Sequence, residues 1–393
     1  MKKVLSLVLA VSLCLGCALF ASSCGEKTDE KVVYIGVFEP SSGDNGAGGK
    51  QETLGMQYAN SLTPTVTIGG EEYKVELNYA DNESSTDKAV SAASTLVGAG
   101  CSVVLGSYGS SVAIAGSDTF KSAGIPVIGV TCTNPQVTEG NDHYFRICFL
   151  DPFQGTVLAN FAKDKFQAKH VYCLGQLGND YDQGLINYFA KAAASLGMEV
   201  TTESFQKDNS DFTSYLTNAK NAGADVIYAP CSISYAQLLV DQADAQGINI
   251  PLLAGDTWDS NVILEAAKGK DLEIYVSTFY QEGGNPDFDK GMKEWLNAEG
   301  NEKHLTNNNG NDVIAAVSAM GYDAYYTALE AIKKADSKDP AKIMAALPDV
   351  EYTGVSGTIK FDEIGDAIRD TAYIKAVNTE TGEWTFVSEQ SVK

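Results

Sequence analysis

The chain has 393 residues, 44% of them hydrophobic, with Lys+Arg 28 against Asp+Glu 51 and a formal net charge of -23. That length exceeds what one core usually holds, so two domains are expected. A surface this acidic repels nucleic acid and anionic lipid headgroups, which argues against both as partners. A monomer is expected.

The first residues stand apart from the fold. Lys2 and Lys3 precede "VLSLVLAVSLCLGCALF", an apolar run with a small-residue end, "ASSC". This reads as a secretory signal over residues 1–23. A plain transmembrane anchor fits less well, because small residues interrupt the run and it ends at a cleavage site. Cys24 follows Ala21-Ser22-Ser23 and precedes polar "GEKTDEK". That resembles a bacterial lipobox with its tether, residues 24–30. Processing at Cys17 would leave the apolar start "ALFASS", so Cys24 is the expected lipidated residue. Acyl chains there would hold the protein at the membrane, outside the cytoplasm. The later cysteines, Cys101, Cys132, Cys148, Cys173 and Cys231, are odd in number and show no C-x-x-C spacing. A zinc site is therefore not expected. Most read as small buried hydrophobes, and no disulfide can be assigned.

Strand and helix signals then alternate. "KVVYIGVFEP" reads as a strand, followed by a glycine-rich turn and a helix from about Gln51 to Asn60. "YKVELNYAD" alternates as a strand near a sheet edge does. "DKAVSAASTLVG" is helical, "SVVLG" a buried strand, "SVAIAGSDTFKSAG" a helix and "IPVIGV" a strand. A boundary falls at "FRICFLDPFQG", where Asp151 can cap a helix that has Pro152 at its first position. The alternation restarts with strands "HVYCLG", "MEVTTES", "DVIYAP", "PLLAG" and "EIYVSTF". Helices are expected near Asp182–Leu196, Phe212–Asn221, Ser234–Gln246 and Asn261–Ala267. Helical patterns dominate from Phe288 to Leu347, and "GVSGTIKFD", "TAYIKAV" and "EWTFV" are late strands. The order implies an α/β protein with two doubly wound parallel-sheet lobes joined by a multi-strand hinge. Lobe 1 is expected to hold residues 31–150 and 281–364, and lobe 2 residues 151–280 and 365–393.

Several chemistries lack their motifs. His143, His170 and His304 form no metal-binding spacing, and "GSYGSS" does not match G-x-S-x-G. "GDNGAGG" follows a strand but lacks the G-x-G-x-x-G order. Asp180 and Asp182 have no bidentate Glu at the spacing a calcium loop needs. Binding is therefore expected rather than catalysis, with no cofactor and no metal.

In parallel α/β sheets, ligands sit beyond the carboxyl ends of strands. Ser110 and Ser111 lie there, at the start of a helix whose free N–H groups suit an anion. A plain N-cap would explain them alone. However, Thr131 and Thr133 repeat the chemistry one strand later. On the other lobe, Tyr181 follows "VYCLG", and Asp256 and Trp258 follow "PLLA". Ser260 or Asp259 is better placed than Asp256 to cap the next helix, which leaves Asp256 to meet a cation. A carboxylate holder on one lobe and an ammonium holder on the other define an α-amino acid.

At "IGVFEPSSG", "VVLGSYGSS", "IPVIGVTCTNP", "NDYDQG", "LLAGDTW" and "GTIKFDEIGDAIRD", the chain resembles the type I periplasmic substrate-binding proteins of ABC transporters, in the leucine/isoleucine/valine-binding branch. The resemblance implies that Ser110, Thr131 and Thr133 hold the ligand's α-carboxylate and ammonium. It also implies that Tyr181 closes over the ligand, Asp256 pairs with the ammonium and Tyr108 lines the side-chain pocket. The family often has an aromatic where this chain has Gly48-Gly49, and a Tyr where Cys231 aligns. Both changes enlarge the pocket unless Tyr108 or Trp258 fills it. The implied function is an extracytoplasmic lipoprotein that delivers an amino acid, most simply a branched aliphatic one, to permease and ATPase subunits. An aromatic amino acid, an amide or an aromatic acid is the alternative ligand, and a ligand-sensing subunit the alternative role. A secreted serine-dependent enzyme is the competing class, without a His base near its serines.

Overall fold

A computed structural model of the chain describes residues 31–391. The signal segment and Cys24 lie outside the described residues. The first sheet is built from β1 (Val32–Val37), β2 (Thr65–Ile68), β3 (Glu71–Tyr79), β4 (Val103–Leu105), β5 (Val127–Gly129) and β6 (Tyr144–Arg146). Its order is β2-β3-β1-β4-β5-β6. Between these strands run α1 (Gly46–Leu62), α2 (Thr86–Gly98) and α3 (Ser110–Ala123).

The second sheet contains β7 (His170–Gln176), β8 (Glu199–Phe205), β9 (Val226–Tyr228), β10 (Leu252–Ala254) and β11 (Ile274–Thr278). These alternate with α4 (Asp151–Phe166), α5 (Asp180–Ser195), α6 (Thr213–Asn221), α7 (Ile233–Ala245) and α8 (Asn261–Ala267). The chain then forms α9 (Pro286–Leu296), α10 (Glu302–Asn307), α11 (Ala316–Ala335) and α12 (Pro340–Ala346). A hairpin of β12 (Glu351–Gly354) and β13 (Gly357–Lys360) follows, then β14 (Thr371–Asn378) and β15 (Glu383–Ser391). The last two strands complete the second sheet, in the order β15-β14-β11-β10-β9-β7-β8. The chain thus passes between the lobes after β6, after β11 and after β13.

Both sheets are mixed rather than purely parallel. The central pairs are parallel, while β2 runs antiparallel to β3, and β14 and β15 are antiparallel additions beside β11. A hairpin partner or a strand arriving from the other lobe needs no helical crossover, which is why these edges depart from the parallel rule. Alternation sorts the core. Val103 and Leu105 face α1 and α11, and Val104 faces α2 and α3. In the second sheet, Val171 and Cys173 face α4 and α5, while Tyr172 and Leu174 face α6 and α7. Side chains two apart share a face, so each central strand feeds two cores.

Two local expectations are corrected. The glycine-rich stretch before Gln51 is the first turns of α1, not a turn before it. Its glycines answer to packing: a Cβ on Gly49 would lie 2.2 Å from the Pro40 carbonyl oxygen, and one on Gly48 would lie 2.4 Å from Cζ of Tyr108. Asp151 is the first residue of α4 and not its cap; Leu150 is the cap, and it makes no side-chain capping bond. The late helix α11 lies against α1, where a Cβ on Gly55 would meet the Ser318 carbonyl oxygen at 1.9 Å. The five cysteines from Cys101 to Cys231 are free and buried.

Candidate functional site

The carboxyl ends of both sheets face one another, and the helix starts at those ends meet across the cleft. Gly109 caps α3, so Ser110 and Ser111 fall inside its first turn and neither caps it. Ser110 is buried and its Oγ accepts from the Asn134 N–H at 3.3 Å. Ser111 Oγ accepts from the Asp180 N–H at 2.8 Å, on the opposite lobe. The second serine therefore satisfies the first free N–H of α5 across the cleft.

Thr131 donates to Glu52 Oε2 at 2.5 Å, and Thr133 Oγ1 is buried with no hydrogen-bond partner. From the second lobe, Tyr181 donates its hydroxyl to Asp256 Oδ1 at 2.9 Å. Gln154 Nε2 donates to the same oxygen at 2.7 Å. Ser260 caps α8 by accepting from the Val262 N–H, which leaves Asp256 out of capping. Asp259 is engaged by Lys375 Nζ at 2.9 Å and by the Thr278 hydroxyl.

Tyr108 takes the space left by Gly48, and its hydroxyl donates to the Thr257 carbonyl at 3.2 Å, again across the cleft. Trp258 is fully buried and its Nε1 donates to the Cys231 carbonyl at 3.1 Å. Tyr108 thus occupies the room beside Gly48, while Pro40 covers Gly49 and Trp258 packs against the Cys231 backbone. A cavity of about 200 Å³ remains at the mouth, lined by Tyr108, Ser110, Ser111, Tyr181 and Thr257, with Lys207 at its rim. Thr131, Thr133, Asp256, Cys231 and Trp258 are not among its lining residues.

Acids that sequence reasoning did not single out as site residues surround this interior. Glu39, at the end of β1, accepts from the Tyr108 N–H at 2.7 Å. Its carboxyl adjoins that of Glu52. Burial raises both, Glu39 well above the usual carboxylate range and Glu52 to about 7. The neighbouring Glu52 carboxyl adds to the rise of Glu39. Asp151 is pushed by burial to about 8, and both its oxygens lack partners. The Thr133 hydroxyl faces it without reaching hydrogen-bond geometry. Burial lifts Asp256 to about 6, against the two hydrogen bonds that favour its ionised form. Glu39 could have been found by the same strand-end rule that gave the serines; Glu52 lies within a helix and carried no signal. Among the described residues no group of three or more His, Cys, Asp or Glu is arranged to hold a metal ion.

The profile of the periplasmic binding protein family matches residues 32–382. The chain belongs to this family. Its members are substrate-binding proteins of ABC transporters and not enzymes. The chain is 29% identical over 341 residues to Leu/Ile/Val-binding protein homolog 1 of Brucella abortus, covering 85% of this chain and 87% of that one. A solved leucine-binding protein of Thermotoga maritima is 30% identical, with TM-score 0.81, over 91% of this chain and 99% of that chain. A branched-chain amino acid transporter substrate-binding protein of Streptococcus pneumoniae, solved with isoleucine, is 25% identical with TM-score 0.77. It is covered to 99%, and this chain to 92%. As a periplasmic binding protein, the chain has the two-lobed α/β fold that the resemblance implied. No helix among its described residues is long and apolar enough to cross a membrane.

Proposed function

We propose that this chain is the lipid-anchored receptor of an ABC importer, taking a branched aliphatic amino acid between its lobes and passing it to the permease. The observation that carries the reading is the opposition of chemistries across the cleft. The start of α3 with Ser110, and the Thr133 hydroxyl, which has no partner, offer donors to an α-carboxylate, and Thr131 beside it holds Glu52. Asp256, oriented by Tyr181 and Gln154, offers a carboxylate to the ammonium. Tyr181 covers the ligand, and Tyr108 with Trp258 bounds its side chain. The ligand named for the Streptococcus relative supports the branched aliphatic assignment.

Thermal shift on the chain starting after Cys24 tests the ligand. Leucine, isoleucine or valine should raise the melting temperature, and more so at higher concentration. A shift only with aromatic amino acids, amides or aromatic acids would replace the ligand class. No shift with any amino acid would remove the charge-opposition reading. For the anchor, Cys24→Ala should release the protein from the membrane fraction or block its processing; unchanged retention would point to Cys17 or to an uncleaved helix.

A further inference from the structure

Asn134 was not among the candidate residues, yet its bonds tie the hydroxyl loop to both lobes. Its N–H donates to Ser110 Oγ at 3.3 Å. Its Oδ1 caps the short turn Pro135–Val137 by accepting from the Gln136 N–H at 2.9 Å. Capping uses only that oxygen. The amide nitrogen crosses the cleft and donates to the Asp180 carbonyl at 2.7 Å. The approach is close: a Cβ on Gly184 of α5 would lie 2.5 Å from Asn134 Nδ2.

Arg146, fully buried at the end of β6, holds this loop from behind. Its Nη1 donates to the Cys132 carbonyl at 2.9 Å and to the Asn134 carbonyl at 2.5 Å. Its Nε and Nη2 meet Asp366 Oδ1 at 2.8 and 2.7 Å, in the segment where the chain last crosses between lobes. The planar guanidinium can serve two carbonyls and a carboxylate together, which an ammonium cannot. One side chain thus joins the loop bearing Thr131 and Thr133 to a crossing segment.

We propose that Asn134 is the latch that holds the lobes closed over the hydroxyl loop, and that Arg146 is the positioning residue that presents it. The inference rests on the proposed reading of Thr133 as ligand-facing. Asn134→Asp keeps the capping oxygen, deletes the donor to Asp180 and sets a carboxylate oxygen against that carbonyl. Gly184→Ala obstructs the same contact from the other lobe. Each should raise the dissociation rate of L-leucine by about three- to tenfold, with association changed far less, because the contact forms after encounter. Arg146→Lys should act in the same direction.

Pulsed electron spin resonance supplies a second readout, with spin labels on cysteines placed at exposed Val90 and Lys220. Ligand-free Asn134→Asp and Gly184→Ala should shift toward longer interlobe distances than the unsubstituted chain. A purely local role for Asn134 would leave both the dissociation rate and the distances unchanged in the two variants, and that result overturns the latch. Failure of the unsubstituted chain to bind leucine overturns the proposed function instead, and the ligand-free distances still decide the latch. If Arg146→Lys does not fold, the other two variants carry the test.

Discussion

The Tyr181 hydroxyl and the Gln154 amide both donate to Oδ1 of Asp256, at 2.9 and 2.7 Å, inside a cleft that buries the acid almost completely. Two neutral donors orient this carboxylate without neutralising it, so a cation is the partner it lacks. Under the proposed reading, the ligand ammonium supplies it.

Asp256→Ala should therefore weaken leucine binding strongly. Truncating one member of a desolvated, hydrogen-bonded charge pair typically costs about 2–5 kcal/mol, or roughly thirtyfold and more in affinity. Ser110→Ala removes a neutral hydroxyl while the α3 N–H groups remain, so its cost should be about 1 kcal/mol. Calorimetric titration ranks the two. Near-native affinity in folded Asp256→Ala would remove the acid from the site.

The buried acids set the pH dependence. Asp256, Glu52 and Asp151 sit at about 6, 7 and 8 in the folded chain, above their ordinary values of 3.8, 4.5 and 3.8, with burial the largest cause of each. Between the two values the folded state binds more protons than the unfolded state, so stability falls as pH rises through that window. The ligand-free protein should melt higher near pH 5 than near pH 8. Ligand affinity should run the other way around pH 6, because the ammonium needs Asp256 ionised. Below pH 6 the affinity should fall, approaching about tenfold per pH unit. Melting curves and titrations across pH 5 to 8 check both signs, and an affinity flat from pH 5 to 7 would contradict the pairing.

Gly48 should be intolerant of a side chain for a reason outside its own helix. Its Cβ would lie 2.4 Å from Cζ of Tyr108. Gly48→Ala should destabilise by about 1–3 kcal/mol through overpacking. Pairing it with Tyr108→Leu should recover part of that loss, as a double-mutant cycle in chemical denaturation would show. Strict additivity would mean that the two positions do not meet.

The pair Lys375–Asp259 is completely buried at 2.9 Å. Lys375 arrives on β14, and Asp259 directly follows the turn that carries Asp256 and Trp258. Lys375→Met leaves the carboxylate without its cation and should cost about 3–5 kcal/mol. Adding Asp259→Leu should return much of the loss, since replacing a whole buried pair by apolar groups is often neutral. Denaturant midpoints of the single and double variants decide it.

By itself the sequence determined the alternation of strands and helices, because a buried parallel strand must be apolar along its length and end at a turn. That alternation placed Ser110, Thr131, Tyr181 and Asp256 at carboxyl ends, where helix N–H groups are free. It also marked the late helices as lacking a sheet of their own. Only the tertiary structure decided which partners those side chains meet. Ser111 and Asn134 reach Asp180 across the cleft, Glu39 accepts from the Tyr108 N–H, and Tyr108 fills the space over Gly48. Each contact joins residues far apart in the chain, and no local period encodes such a distance. Periodicity reports which face of an element is buried; the partner on that face is set by how the lobes pack.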